Sequence, residues 1–424
     1  MKHLQNHTRR ILALLLILLF LPLLPGTSCA DGGKVLTIPK RLTTISRQAF
    51  RNDTSLQKVV IQEGTERIES LAFADSSIRE IQLPASLTYI AEDAFKNTSL
   101  ETVTAPKGSF AYQWAREHKY ITEYRALLIG EKTFLRNNKL TDVDRNENDA
   151  KKMAAMLGRV YGPTGEKFQV TRKTNIGRNT IKSAIQTTFA GTMDHDVSLF
   201  FIATHGNSDT GGDGDLEMPY NGDPDDYDYY NTYFESKRYL PFSTLAEWLS
   251  TMVNGKVIVI LESCGAGSSI YEANGGKNRG EKTEDELSED FVQAAVKAFA
   301  KADPGIMITT DADPDSFRKS TGDLRQPKFY VLAAAAHEEE SLGEPNSWDD
   351  PMNLFTRWLI EGVGEKGNSP ADLYPTDSIL ALDELYQYIQ YARDHYSGPG
   401  TIYSNQQHVQ VYPEDSNQAI FLLK

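Results

Sequence analysis

Apolar positions in the first quarter of the chain recur every 22 to 23 residues. Ile45, Ile68 and Ile90 share one register, the pairs Ala49-Phe50, Ala72-Phe73 and Ala94-Phe95 a second, and Leu56, Ile78 and Leu100 with Val59, Ile81 and Val103 a third. A unit this short cannot bury its apolar side alone. The period therefore predicts a solenoid in which each unit adds one short strand and stacks on the next. Residues 35–39 read as the strand end of a truncated first unit. Residues 109–120 place Phe110, Tyr112, Trp114 and Ala115 near helical spacing and read as a helix that caps the apolar end, with Trp114 in the core.

From Arg125 the pattern changes. Residues 126–130 form an apolar run that predicts a buried strand, and a polar loop follows as far as Asn148. Ala150, Met153, Ala154 and Leu157 then share one face of a helix, with Asp149 near its start favoured by the helix dipole. Phe168 and Val170 mark the next strand, and Ile181, Ala184, Ile185 and Phe189 a helix over 180–189. Two longer apolar runs, 197–203 and 257–261, read as fully buried strands of a parallel sheet. The first ends in Thr204, His205, Gly206 and Asn207, the second in Glu262, Ser263, Cys264 and Gly265, with a helix carrying Leu245, Trp248 and Leu249 between them. A helix over 291–300, strands at 306–310 and 329–335, a helix with Phe355, Leu359 and Ile360, a closing helix over 382–396 and an edge strand at 409–412 complete the chain. The alternation predicts an α/β fold, a doubly wound, mostly parallel sheet flanked by helices and preceded by a short solenoid. The expected domains are 1–30, 31–124 and 125–424.

The first 30 residues differ from both. Lys2, Arg9 and Arg10 precede an apolar run over 11–24, and Gly26, Thr27, Ser28, Cys29 and Ala30 follow. This is the layout of a secretory signal peptide cleaved after Ala30, because the run falls short of the roughly 20 residues that span a bilayer. A competing layout is a lipoprotein signal with Cys29 lipidated, the one case in which a membrane is a partner. The expected location is secreted or on the cell surface. Only Cys29 and Cys264 are present in the chain, so the exported form keeps one thiol and no intramolecular disulfide. A lone exported cysteine on a strand end points to reactivity. The net charge of −14 removes nucleic acid as a partner, since no basic excess exists to neutralise phosphates.

Strand ends in His-Gly and Cys-Gly can set an imidazole beside a thiol, a nucleophile with its activator. The arrangement resembles the caspase-like cysteine peptidases, the group of caspases, metacaspases, legumain, clostripain and gingipain. His205 precedes Cys264 by 59 residues, close to the separation of about 50 in the caspase signature. Glu262 and Ser263 before Cys264 are closer to the legumain and metacaspase pattern than to the Gln-Ala of true caspases. The solenoid resembles the leucine-rich repeats of BspA-like bacterial surface proteins. Its expected ligand is a glycan, a protein or the cell wall; a passive spacer is the alternative.

The resemblance implies a peptidase acting on protein or peptide substrates. Cys264 is the expected nucleophile, His205 the acid and base, and the amides of Gly206 and Cys264 the oxyanion donors. Glu262 is expected to line the first specificity pocket and select Arg or Lys. Arg145, just before the expected helix, falls where legumain and caspases carry a pocket arginine. Paired with Glu262 it would make the pocket neutral and suited to Asn. His337 is a rival histidine without an adjoining glycine. No cofactor and no metal is expected, although the acidic, aromatic segment after His205 (Asp209, Asp213, Asp215, Asp223, Asp225, Asp226 and Asp228 with Tyr227, Tyr229 and Tyr230) is compatible with calcium outside an EF-hand spacing. Residues 273–290, with Lys277, Arg279 and Lys282, are where the resembling families often cut themselves. A surface adhesion protein with an inactive peptidase-like domain is the reading from a different class.

Overall fold

The computed structural model describes residues 33–136, 139–207, 215–220, 238–265, 299, 302, 327–335, 341–344, 349–365, 368–373, 375–396, 407, 409–413 and 416–424. Outside them lie the signal segment, most of the acidic segment after His205, the helix expected at 291–300 except Phe299, the strand expected at 306–310, residues 273–290 and His337. The chain divides into two compact units, Met1–Ile121 and Thr122–Lys424.

The first unit is built by its period. Strands β1 (Lys34–Ile38), β3 (Leu56–Ile61), β5 (Glu80–Gln82) and β7 (Thr102–Thr104) form one parallel sheet. Strands β2 (Thr44–Ile45), β4 (Arg67–Ile68) and β6 (Tyr89–Ile90) form a second. The registers are those of the sequence: Val59 pairs with Ile81 and Ile81 with Val103, while Ile45, Ile68 and Ile90 fall in line. The truncated first unit is β1, with Leu36 against Val59. Phe50 stacks on Phe73 at 5.2 Å and Phe73 on Phe95 at 5.4 Å. Trp114 of helix α1 (Phe110–Glu117) continues that column at 5.5 Å and closes it. Ser109 accepts from the Tyr112 amide at 3.1 Å, which caps α1.

The second unit is centred on a sheet ordered β11 (Phe168–Thr174), β8 (Tyr124–Gly130), β12 (Val197–Asn207), β15 (Lys256–Gly265), β16 (Phe329–Ala333) and β18 (Gln410–Tyr412). All neighbours are parallel except β18, which is antiparallel to β16. A hairpin of β13 (Asp215–Glu217) and β14 (Tyr239–Pro241) is attached to the end of β12. Alternate residues of each strand feed two cores. Leu199, Phe201 and Ala203 with Ile258 and Ile260 pack against α2 (Asp144–Arg159), α5 (Leu354–Val363) and α6 (Leu382–Asp394). Phe200 and Ile202 with Val257, Val259 and Leu261 pack against α3 (Arg178–Thr188) and α4 (Phe242–Met252). Helices on both faces of a mostly parallel sheet make the doubly wound arrangement that the alternation predicts. A separate two-stranded sheet joins β17 (Ile379–Ala381) to β19 (Ala419–Leu422).

Two local readings are corrected. The stretch expected to be a polar loop to Asn148 holds a hairpin, β9 (Thr133–Arg136) with β10 (Lys139–Asp142), and α2 begins at Asp144. Arg145 is therefore inside the helix, not ahead of it. Asp149, expected near the helix start, lies in the second turn of α2 and is fully buried, one turn before Met153 on the face that enters the core. The strand marked by Phe168 and Val170 is β11, a sheet edge on which Val170 is 37% exposed.

Candidate active site

The sheet changes winding direction between β8 and β12. After β8 the chain crosses to β11 on one side, then returns to β12 on the other. Crevices at the carboxyl ends of strands open at such a point. Three residues singled out by sequence, Arg145, His205 and Glu262, come together beside it, at the carboxyl ends of β12 and β15. Arg145 and Asn146 come from the first turn of α2, Thr204 and His205 from the end of β12, Glu262 and Ser263 from the end of β15, and Ser341 and Asn353 from the segment leading into α5. Together they line one small cleft.

β12 and β15 run in register through their last residues, so that Ala203 faces Glu262, His205 faces Cys264 and Gly206 faces Gly265. Strands so paired lie about 4.8 Å apart. Position 264 has the parity of Ile258, Ile260 and Glu262, and position 205 that of Leu199, Phe201 and Ala203. The side chain of Cys264 lies outside the described residues. His205 is half-buried, and its ring meets that of Phe134 edge-on at 4.6 Å and 63°. Phe134 is fully buried in the β9–β10 hairpin that sequence reasoning missed; an aromatic residue alone in a polar stretch was the available signal. Gly206 also pairs with Leu216 of β13, and Thr204 Oγ1 donates to the Glu217 carbonyl at 2.6 Å. A buried Arg238–Glu217 ion pair of 2.9 Å holds that hairpin beside the end of β12.

Glu262 is 1% exposed and already engaged. One carboxylate oxygen accepts from Ser341 Oγ. The other accepts from the Thr356 backbone N–H at 2.9 Å and its hydroxyl at 2.7 Å. Thr356 is in the first turn of α5, so Glu262 caps that helix from a neighbouring strand. Burial raises its pKa, and the hydrogen bonds from Ser341 and Thr356 oppose that. Asp149 is raised well above the ordinary range, first by burial and then by the charge of Glu262; hydrogen bonds from Asn353 and the nearby Arg145 pull the other way. Arg145 Nε donates to Asn353 Oδ1 at 2.8 Å, and no ion pair within 4.0 Å joins Arg145 to Glu262 among the described residues. A direct pairing of the two, the condition set for a neutral pocket, is thus absent. Sequence reasoning missed the roles of Asp149 and Asn353; an acidic residue in the apolar stripe with Met153 and Met156 was the signal for the first.

On the opposite face of the sheet, Glu131 follows β8 and is fully buried. One oxygen accepts from the Ile176 amide at 3.0 Å, and the other has no hydrogen-bond partner among the described residues. Burial raises its pKa well above the ordinary value. Among the described residues no three His, Cys, Asp or Glu side chains gather closely enough to hold a metal ion. The acidic segment read as compatible with calcium lies almost wholly outside them.

Residues 32–114 match the BspA type leucine rich repeat region, in six copies. Comparison with curated proteins finds no match. Among solved structures the chain is similar to a protein from Geobacter sulfurreducens, with 14% identity, a TM-score of 0.39, and 71% of this chain and 100% of that chain covered. It is also similar to caspase-1 from Spodoptera frugiperda, with 14% identity, a TM-score of 0.35, and 71% and 89% covered.

Proposed function

We propose that the α/β unit is a cysteine endopeptidase. Cys264 is its nucleophile and His205 its acid and base. The observation that carries this reading is the register of β12 on β15, which sets His205 directly across from Cys264 at the carboxyl edge of the sheet. In the proposed reaction the Cys264 thiolate attacks the scissile carbonyl carbon and His205 delivers its proton to the departing amine. The resulting thioester is then hydrolysed by water that gives a proton back to His205. The amides of Gly206 and Cys264 are the proposed donors to the oxyanion. The N-terminal layout supports export before this chemistry begins. The outward, polar positions of the repeat sheet, among them Glu80, Gln82, Thr102 and Thr104, support a role for the first unit in binding a macromolecular ligand.

The carboxyl group of Glu262 in the lining of the cleft supports cleavage after Arg or Lys. A second reading, cleavage after Asn, is favoured by Arg145 lining the same cleft and by the engagement of both Glu262 oxygens. Reporter peptides with Arg, Lys or Asn before the scissile bond separate these. The peptidase reading itself is tested with a thiol-directed peptide inhibitor and a peptide-library digest. Turnover and labelling that vanish in Cys264→Ala are expected; a Cys264→Ala protein that digests the library like the wild type refutes it.

A further inference from the structure

We propose that Asn353 is a positioning residue of the cleft, a neutral spacer between Arg145 and the buried carboxyl group of Asp149 that preserves selectivity for cationic side chains. The selectivity half of this rests on the peptidase reading above; the positioning half stands on geometry alone.

Asn353 occupies the N-cap position of α5, with extended backbone at φ −74° and ψ 144°, yet its side chain makes no capping bond. Glu262 performs that task from β15 through the Thr356 amide. Asn353 is thereby released to face the other way. Its Nδ2 donates to Asp149 Oδ2 at 2.6 Å and to Asn146 Oδ1 at 3.0 Å, and its backbone N–H donates to Asp149 Oδ1 at 3.1 Å. Its Oδ1 accepts from Arg145 Nε at 2.8 Å. The residue is 3% exposed. A primary amide can donate to a carboxylate and accept from a guanidinium at once without adding charge. Any acid or base in the same place would cancel one neighbour and repel the other.

Glycine at 343 is a second, independent sign that the contact is built in. A Cβ there would collide with Nε and Cδ of Arg145 and with Oδ1 of Asn353. Space is thus reserved for the Arg145–Asn353 bond by the missing side chain. With the spacer removed, the hydrogen-bonded bridge between Arg145 and Asp149 is lost. The guanidinium then closes onto a carboxylate, and the attraction of the cleft for a cationic side chain falls.

The test compares the wild type with Asn353→Ala and with a paired exchange, Asp149→Asn together with Asn353→Asp. The exchange keeps shape and net charge but sets a carboxylate directly against Arg145. One readout is the ratio of kcat/KM for an Arg reporter peptide over an Asn reporter peptide. We expect it to fall about tenfold in both variants, the scale of one charge interaction in a partly screened site. The other readout is solvent exchange of the Arg145 Nε–H, identified by its loss in Arg145→Lys. It is expected to be slow in the wild type and at least about tenfold faster in Asn353→Ala, which lacks the acceptor. An unchanged ratio in folded variants overturns the selectivity role, and unchanged exchange overturns the positioning role. If the wild type cleaves neither peptide, the peptidase reading falls while the exchange rates still judge Asn353. If Asn353→Ala does not fold, the paired exchange decides, since its unchanged ratio refutes the spacer.

Discussion

Replacing Glu262 by alanine separates two roles that one carboxylate can hold. Were Glu262 only a substrate-binding charge, its removal would relieve the cost of burying an anion, leaving stability equal or higher. The geometry predicts the reverse. Three hydrogen bonds are lost, from Ser341 Oγ, the Thr356 amide and the Thr356 hydroxyl, and α5 loses its cap. Cap removal costs about 1 kcal/mol, and each buried donor left unsatisfied about 1–3 kcal/mol, against which the relieved desolvation of the carboxylate is set. A net loss of about 2–4 kcal/mol follows, which for a unit of this size lowers Tm by roughly 5–10 °C. The pH dependence has a definite sign. Burial raises the Glu262 pKa above its ordinary 4.5, so its stabilising contribution is complete below that value and is lost as pH rises through the folded-state pKa. The penalty of Glu262→Ala is therefore largest in acid and shrinks toward alkaline pH. Urea unfolding of the full chain at pH 5 and pH 8, followed by tryptophan fluorescence, measures both features. A variant as stable as the wild type at pH 5 refutes the capping argument, and a penalty that grows with pH refutes the direction that burial gives the Glu262 pKa.

Three further outcomes are expected. Phe73→Ala breaks the column between Phe50 and Phe95 and costs the repeat unit about 3–5 kcal/mol, visible as faster amide hydrogen exchange throughout β3, β5 and β7. Phe134→Leu keeps apolar volume but removes the ring against His205, so kcat for the preferred reporter peptide falls about tenfold with KM little changed; a rise in KM alone contradicts the contact. Glu131→Gln keeps an acceptor for the Ile176 amide without an ionisable proton. Because the wild-type pKa is raised, the variant gains on the wild type as pH rises above about 4.5, by at most about 1.4 kcal/mol per pH unit, in parallel thermal melts at pH 5 and pH 8.

What could be read from the chain, and what could not, follows from how far each signal extends along it. The repeat was legible because every unit restates the same apolar set: Val59, Ile81 and Val103 occupy equivalent places in parallel neighbours, and Trp114 ends the phenylalanine column. The buried strands were legible because β12 and β15 are apolar on both faces, as a strand between two helical layers must be. The hairpin of β9 and β10 was not. It is short, polar and outside the main sheet, and Phe134, its buried residue among those whose burial is described, carries no period by itself.

The cleft shows a second limit, one of chemistry and not of pattern. Glu262 and Arg145 were singled out by the resemblance to legumain, metacaspases and caspases, but their charges could not be apportioned, because the groups that decide it arrive from far along the chain. Asn353 is 208 residues from the arginine it holds, and Thr356 is 94 residues from the carboxylate that caps it. Both lie at the start of α5, in a stretch whose local sequence says only that a helix begins there. One helix terminus thus consumes the charge of Glu262 and, because its own N-cap residue is spared, orients Arg145. Substitution at the α5 terminus should therefore alter selectivity in the cleft more than substitution of any residue nearer Cys264 in sequence, except Glu262 itself.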